Sequence, residues 1–229
     1  MAGLTGVKPS ASYPSLLRVD DNTGIDGTLE VVTDGEGIES PLKISSGAVI
    51  GTPLYAHFGV NYEDFSTLDP NTHYTVPFIP GGLTATNDVD FGTDPEPATT
   101  FTTADTNTQY ASQIVPMMWR VPDDITIDSV TSLEGADNAT GETTRMHLYG
   151  YLFVSGSTSC LTAGTLLAHN DDVVNGGNEQ VYLSTWTIDQ ADVAATSGSK
   201  YKVILCFFRA DSTVNSDYSL NVTVKYHLR

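Results

Sequence analysis

The chain has 229 residues, with 28 acidic against 10 basic side chains, a formal charge of −18 and 40% hydrophobic residues. That imbalance repels phosphate backbones and anionic bilayers, so neither nucleic acid nor a lipid surface is an expected partner. No apolar run reaches the ~18–20 residues that a membrane span needs, and 20 glycines and 11 prolines favour turns over long helices.

The N-terminal stretch lacks the apolar segment of a secretory signal, which predicts synthesis in a cytoplasm without export by the usual route. Residues 1–12 are small and polar and read as an extended arm. Short strands then follow at 13–19, 28–33, 41–44 and 48–50, with Gly- or Asp-bearing turns between most of them. A meander this small buries too little surface to stand alone, so identical neighbours are expected to complete its core.

The run from Leu16 to Ser45, with Asp20-Asp-Asn-Thr-Gly24, Asp34-Gly-Glu-Gly37 and Ser40-Pro-Leu42, resembles shaft and collar segments of bacteriophage fibre proteins. The resemblance implies a homotrimeric fibre, spike or head-decoration protein whose N-terminal part faces the virion and whose distal part projects from it. It therefore implies other virion proteins as partners of the N-terminal segment, host-surface glycan as a further partner, and the surface of a phage particle as the location.

Apolar positions thicken at 54–60 and 73–79, and residues 80–112 read as a polar, Thr- and Pro-rich loop. The expected organisation is an N-terminal arm and attachment segment at 1–50, an intermediate segment at 51–112 and a C-terminal sandwich at 113–229. The last opens with a buried strand from Gln113 and an alternating strand at 125–131. Strongly apolar runs follow at 146–154 and 201–208, and Asp189 is placed to cap one helical turn over 189–195. At the end Tyr218, Leu220, Val222, Val224, Tyr226 and Leu228 alternate with Ser219, Asn221, Thr223, Lys225 and His227, the pattern of a strand with one face buried. The predicted fold is all-β, a short strand meander followed by an antiparallel, jelly-roll-like sandwich. This half also resembles, by its pattern, the distal sandwich tips of phage fibres and head spikes.

Chemistry is sparse. The five histidines share no metal-ligand spacing, and His147 and His227 are expected at polar, solvent-facing strand positions. The stretch Asp20–Gly27 puts Gly24 and Val31 where a calcium loop needs oxygen ligands, so turn chemistry explains its Asp and Asn residues. Cys206 reads as a small buried hydrophobe, and a bridge to Cys160 is open. There is no nucleophile elbow, phosphate loop or dinucleotide fingerprint. No catalytic residue, cofactor or metal is therefore expected, and the chain is read as a non-enzyme. The aromatics Tyr149, Tyr151, Tyr182, Trp186 and Tyr218 are the candidates for stacking on sugar rings, weighed against packing in a core or trimer interface. The alternative to a virion role is a carbohydrate-binding sandwich without catalysis.

Overall fold

The computed structural model describes residues 53–62, 71–78, 114–137, 139–156, 161–177, 180–211 and 216–229, together with short strands nearer the N-terminus and at Thr100–Phe101. The chain divides into two compact units, Met1–Leu54 with His227–Arg229, and Tyr55–Tyr226. In the first, β1 (Arg18–Val19), β2 (Glu30–Thr33), β3 (Glu39–Ile44) and β4 (Val49–Ile50) form an antiparallel sheet in chain order, the meander expected from the sequence. The calcium-like stretch at 20–27 and Cys160 lie outside the described residues.

The second unit is built on β5 (Leu54–Tyr62), β6 (His73–Val76), β9 (Ile125–Asp137), β10 (Thr143–Val154), β11 (Gly164–His169), β13 (Gln180–Thr185), β17 (Lys200–Ala210) and β18 (Asp217–Leu228). Shorter strands fill in between: β7 (Thr100–Phe101), β8 (Trp119–Arg120), β12 (Val173–Val174), β14 (Thr187–Ile188), β15 (Asp192–Val193) and β16 (Thr196–Ser197). One sheet has the order β13-β9-β18-β5; in the other, β11-β10-β17 continues to β6. Counted along the chain, the first, eighth, third and sixth principal strands share one sheet and the second, seventh, fourth and fifth the other. That strand order is the double Greek key of an eight-stranded jelly roll. Along the far edge of β17, β16, β8 and β6 follow one another, pairing at Tyr201, Val203 and Cys206 onward.

The two sheets are covered differently. In β18, Tyr218, Leu220, Val222 and Val224 are buried while Ser219 and Asn221 are exposed, so only one face is packed. In β10 and β17 every residue from Met146 to Tyr151 and from Val203 to Phe208 is buried. Met146, Leu148 and Phe208 belong to the face turned toward β18, where the Phe208 and Tyr218 rings meet at 4.9 Å. Tyr149, Tyr151, Leu205 and Phe207 point the other way, into a second core closed by Ile114, Met117, Leu161 and Leu166. Aromatic contacts from Phe58 to Phe78, Trp119 and Tyr226 join β5 and β18 to β8.

In β9 the alternation slips by one residue. Ile125 and Ile127 are buried, then Val130, Ser132, Glu134 and Ala136, so the inward positions change from odd to even at Asp128–Ser129. The slip turns Leu133 outward and Glu134 inward.

Three expectations change. The sandwich expected to open at 113 also includes β5 and β6, because a jelly roll needs a first and second strand to flank its eighth and seventh. The helical turn expected at 189–195 is absent, since Asp192–Val193 pairs with Ile125–Thr126 and the Asp189 carboxylate binds a side chain instead of a helix end. The strand expected from Gln113 is a 3₁₀ turn at Val115–Met117 followed by the two-residue β8, with Pro116 at the turn's start.

Candidate functional site

The aromatics singled out from the sequence are mostly core. Tyr149, Tyr151, Trp186 and Tyr218 are buried, which leaves them no ring face for a ligand. The Trp186 indole N–H donates to Ser132 Oγ at 2.9 Å, and the Tyr149 ring meets Phe207 at 5.9 Å. Tyr182 is half-buried, and its hydroxyl accepts from the Gly176 N–H and donates to Gln180 Oε1. Among the described residues the exposed rings are others: Tyr55, 54% exposed and stacked on His57, and Tyr201, which lies under the Arg120 guanidinium at 4.9 Å.

Histidines far apart in sequence meet across strands. His147 lies opposite His169 in the β10–β11 register, and its ring is 5.6 Å from His73 of β6. His147 is fully buried rather than solvent-facing, because the outer face of β10 carries the second core. Burial, with Arg145 and His169 adding to it, holds its pKa down at about 3, so it is neutral. His169 Nδ1 pairs with Asp189 Oδ2 at 2.7 Å, and His227 is half-buried. Among the described residues no group of three or more His, Cys, Asp or Glu side chains is arranged to hold a metal ion. Cys206 is a free buried thiol, its pKa raised by burial.

The surface that stands out is the outward face of the sheet β13-β9-β18-β5. Val181 and Leu183 are 70% and 73% exposed on β13, and Leu133, directly opposite Leu183 on β9, is 47% exposed. Val181 faces Gly135, whose missing side chain leaves it close to β18 at Ser219. Asn221 and Thr223 continue the face on β18, and Thr223 Oγ1 bonds His57 Nδ1 at 3.1 Å, beside the Tyr55 ring. Among the described residues, charges stand toward its ends: Asp137 and Asp217 at one, Asp128, Asp192 and Lys225 at the other. β13 is the terminal strand of this sheet, and its residues Gln180-Val-Tyr-Leu-Ser-Thr185 include no charge and no proline, the usual protections of an open edge. Sequence reasoning missed this face. The apolar residues at 181 and 183 were visible, but their outward direction depends on register with β9.

A buried polar cluster sits at the end of the sandwich where β9 stops and β10 and β18 start. Thr144 donates its hydroxyl to Glu134 Oε1 at 2.5 Å, while Tyr218 and Ser216 donate theirs to Glu142 Oε2 at 2.6 and 3.1 Å. Glu134 is 1% exposed, and burial pushes its carboxyl up to about 7 against the smaller, lowering effect of the Thr144 bond.

The chain matches no protein-family model and no curated protein. Among solved structures it is similar to a chain of Desmodium yellow mottle tymovirus, at 11% identity and a TM-score of 0.21, covering 80% of this chain and 93% of that one. It is also similar to a chain from the structure of infectious bursal disease virus Gx strain, at 10% identity and a TM-score of 0.20, covering 93% of this chain and 46% of that one. The fold assignment rests on strand order, which is that of an all-β jelly-roll sandwich.

Proposed function

We propose that the chain is a structural protein of a virion, a homotrimeric fibre, spike or decoration protein projecting from a bacteriophage particle, with its N-terminal unit as the attachment segment. The observation that carries this reading is the outward face of a jelly-roll sheet whose middle carries no charge and which ends in the apolar edge β13, on a chain of charge −18. Two copies of so acidic a protein repel one another, and a face with no charge in its middle lowers that cost of contact. Burying Leu133, Val181 and Leu183 there adds the apolar driving force that association needs.

Light scattering on the full chain tests the proposal. The expected mass is three times 24.5 kDa, and Leu183→Glu, which sets a charge in the middle of the face, reduces it to one times. A wild-type monomer overturns the trimer.

The exposed Tyr55–His57 stack favours a second reading, a carbohydrate-binding sandwich without catalysis. That reading expects a monomer with affinity for a defined glycan, lost in Tyr55→Ala.

A further inference from the structure

The buried cluster at the β9–β10 end is not used by either reading of function. Glu134 reaches inward from β9, three residues before that strand ends, and Thr144 stands near the start of β10. Glu134 Oε1 accepts the Thr144 hydroxyl, while Oε2 has no hydrogen-bond partner among the described residues. No cation among the described residues pairs with it. The other titratable groups inside this end are Glu142, which precedes β10, and Tyr218 of β18, whose hydroxyl donates to Glu142, while Asp137 at the end of β9, Asp217 at the start of β18 and Asp211, which accepts from the Thr143 N–H, stand around it. Tyr182 of β13 lies opposite Glu134 in register, its hydroxyl engaged with Gly176 and Gln180. Arg145, next to Thr144, is paired with Asp172 at 2.5 Å. Asn175 is buried here too: its backbone N–H donates to the Glu142 carbonyl, and its side-chain amide has no partner among the described residues.

An ionised carboxylate with one bare oxygen in such a place has lost its hydration without gaining a compensating charge, whereas the neutral acid fits. We propose that Glu134 is a proton-operated latch between the two sheets: neutral, it packs in the core and ties β9 to β10 through Thr144; ionised, it draws water into that end of the sandwich and loosens it. The tendency of burial to raise its pKa to about 7 puts the transition near neutrality. Between pH 4.5 and 7 the folded chain keeps this proton while the unfolded chain releases it. Folding stability therefore falls as pH rises through that window and is level above it. Buried His147 acts with the opposite sign, since below pH 6.5 the unfolded chain gains a proton that the folded chain refuses. The two effects offset one another in the wild type, so the latch is read from a difference.

The test is the unfolding equilibrium of the full chain against pH, for wild type and Glu134→Gln, which mimics the neutral acid and keeps an acceptor for Thr144. The ratio of the two unfolding constants is expected to rise on the order of 100-fold from pH 4.5 to 8. Carbon-13 resonances of labelled glutamate in the wild type give a second reading that does not depend on the variant folding. One carboxyl is expected to titrate near pH 7. A constant ratio, or no glutamate titrating above the ordinary range, overturns the latch.

Discussion

The two sheets of the sandwich are both built from antiparallel strands and serve different ends. In the sheet carrying β10 and β17 both faces are packed, one against β18 and one beneath Ile114, Met117 and Leu161. In the sheet carrying β9, β13 and β18 one face is packed, and the other lies open with its charges pushed to the ends. A strand covered on both sides has no surface left to evolve a contact, and its side chains are bound by volume. A strand covered on one side keeps alternate positions free, and Leu133, Val181 and Leu183 stand at such positions. The comparison separates where this protein stores stability from where it can meet a partner.

Substitutions can break or sharpen the contrast. The largest effect is expected from Phe207→Ala, which empties part of the second core; denaturant unfolding should show a loss of about 3–5 kcal/mol. The matched change Asn221→Ala on the open face should stay within about 0.5 kcal/mol. Next comes His147→Leu. Buried His147 by itself costs the folded chain up to about 4 kcal/mol as pH drops from 6.5 toward 3, against the opposite effect of Glu134, and the stability gap between variant and wild type should widen by that amount in a thermal-melt series. Glycines give a finer pair. A methyl group on Gly164 of β11 would lie 2.4 Å from the Tyr151 ring, so Gly164→Ala should cost about 1–3 kcal/mol. On Gly135 of the open sheet the nearest atoms would be 3.8 Å away, ordinary contact, and Gly135→Ala should be close to neutral. The smallest effect on folding belongs to Leu183→Glu, within about 0.5 kcal/mol, although the same change is expected to dissociate the assembly.

The sequence announced the strands better than their surroundings. The alternation from Tyr218 to Val224 is one buried face written out in sequence, and within the continuous runs at 146–154 and 201–208 the stretches 146–151 and 203–208 are packed on both sides. Membership of β5 and β6 was illegible, because their partners β18 and β17 lie more than a hundred positions away and short apolar runs carry no address. For the same reason His73, His147 and His169 read as scattered although the sheet brings them side by side. The cap expected at Asp189 failed because strand pairing at Asp192–Val193 and a hydrogen bond with His169 outweigh a local helical preference. Glu134 and Leu133 were assigned to neither face, since one residue of slip upstream exchanges the two.

That slip behaves as a parity bit. Every side chain from Val130 to Asp137 takes its side of the sheet from whether the stretch before it holds an odd or an even number of residues. The acid that titrates in the interior and the aliphatic ridge that faces outward are two readouts of the same count. Deleting Ser129 should invert both together, sending the carboxyl into water and the leucine into the core. A lineage of this protein could therefore not adjust the acid and the ridge separately by insertion or deletion in β9. Only point substitution would tune one without overturning the other.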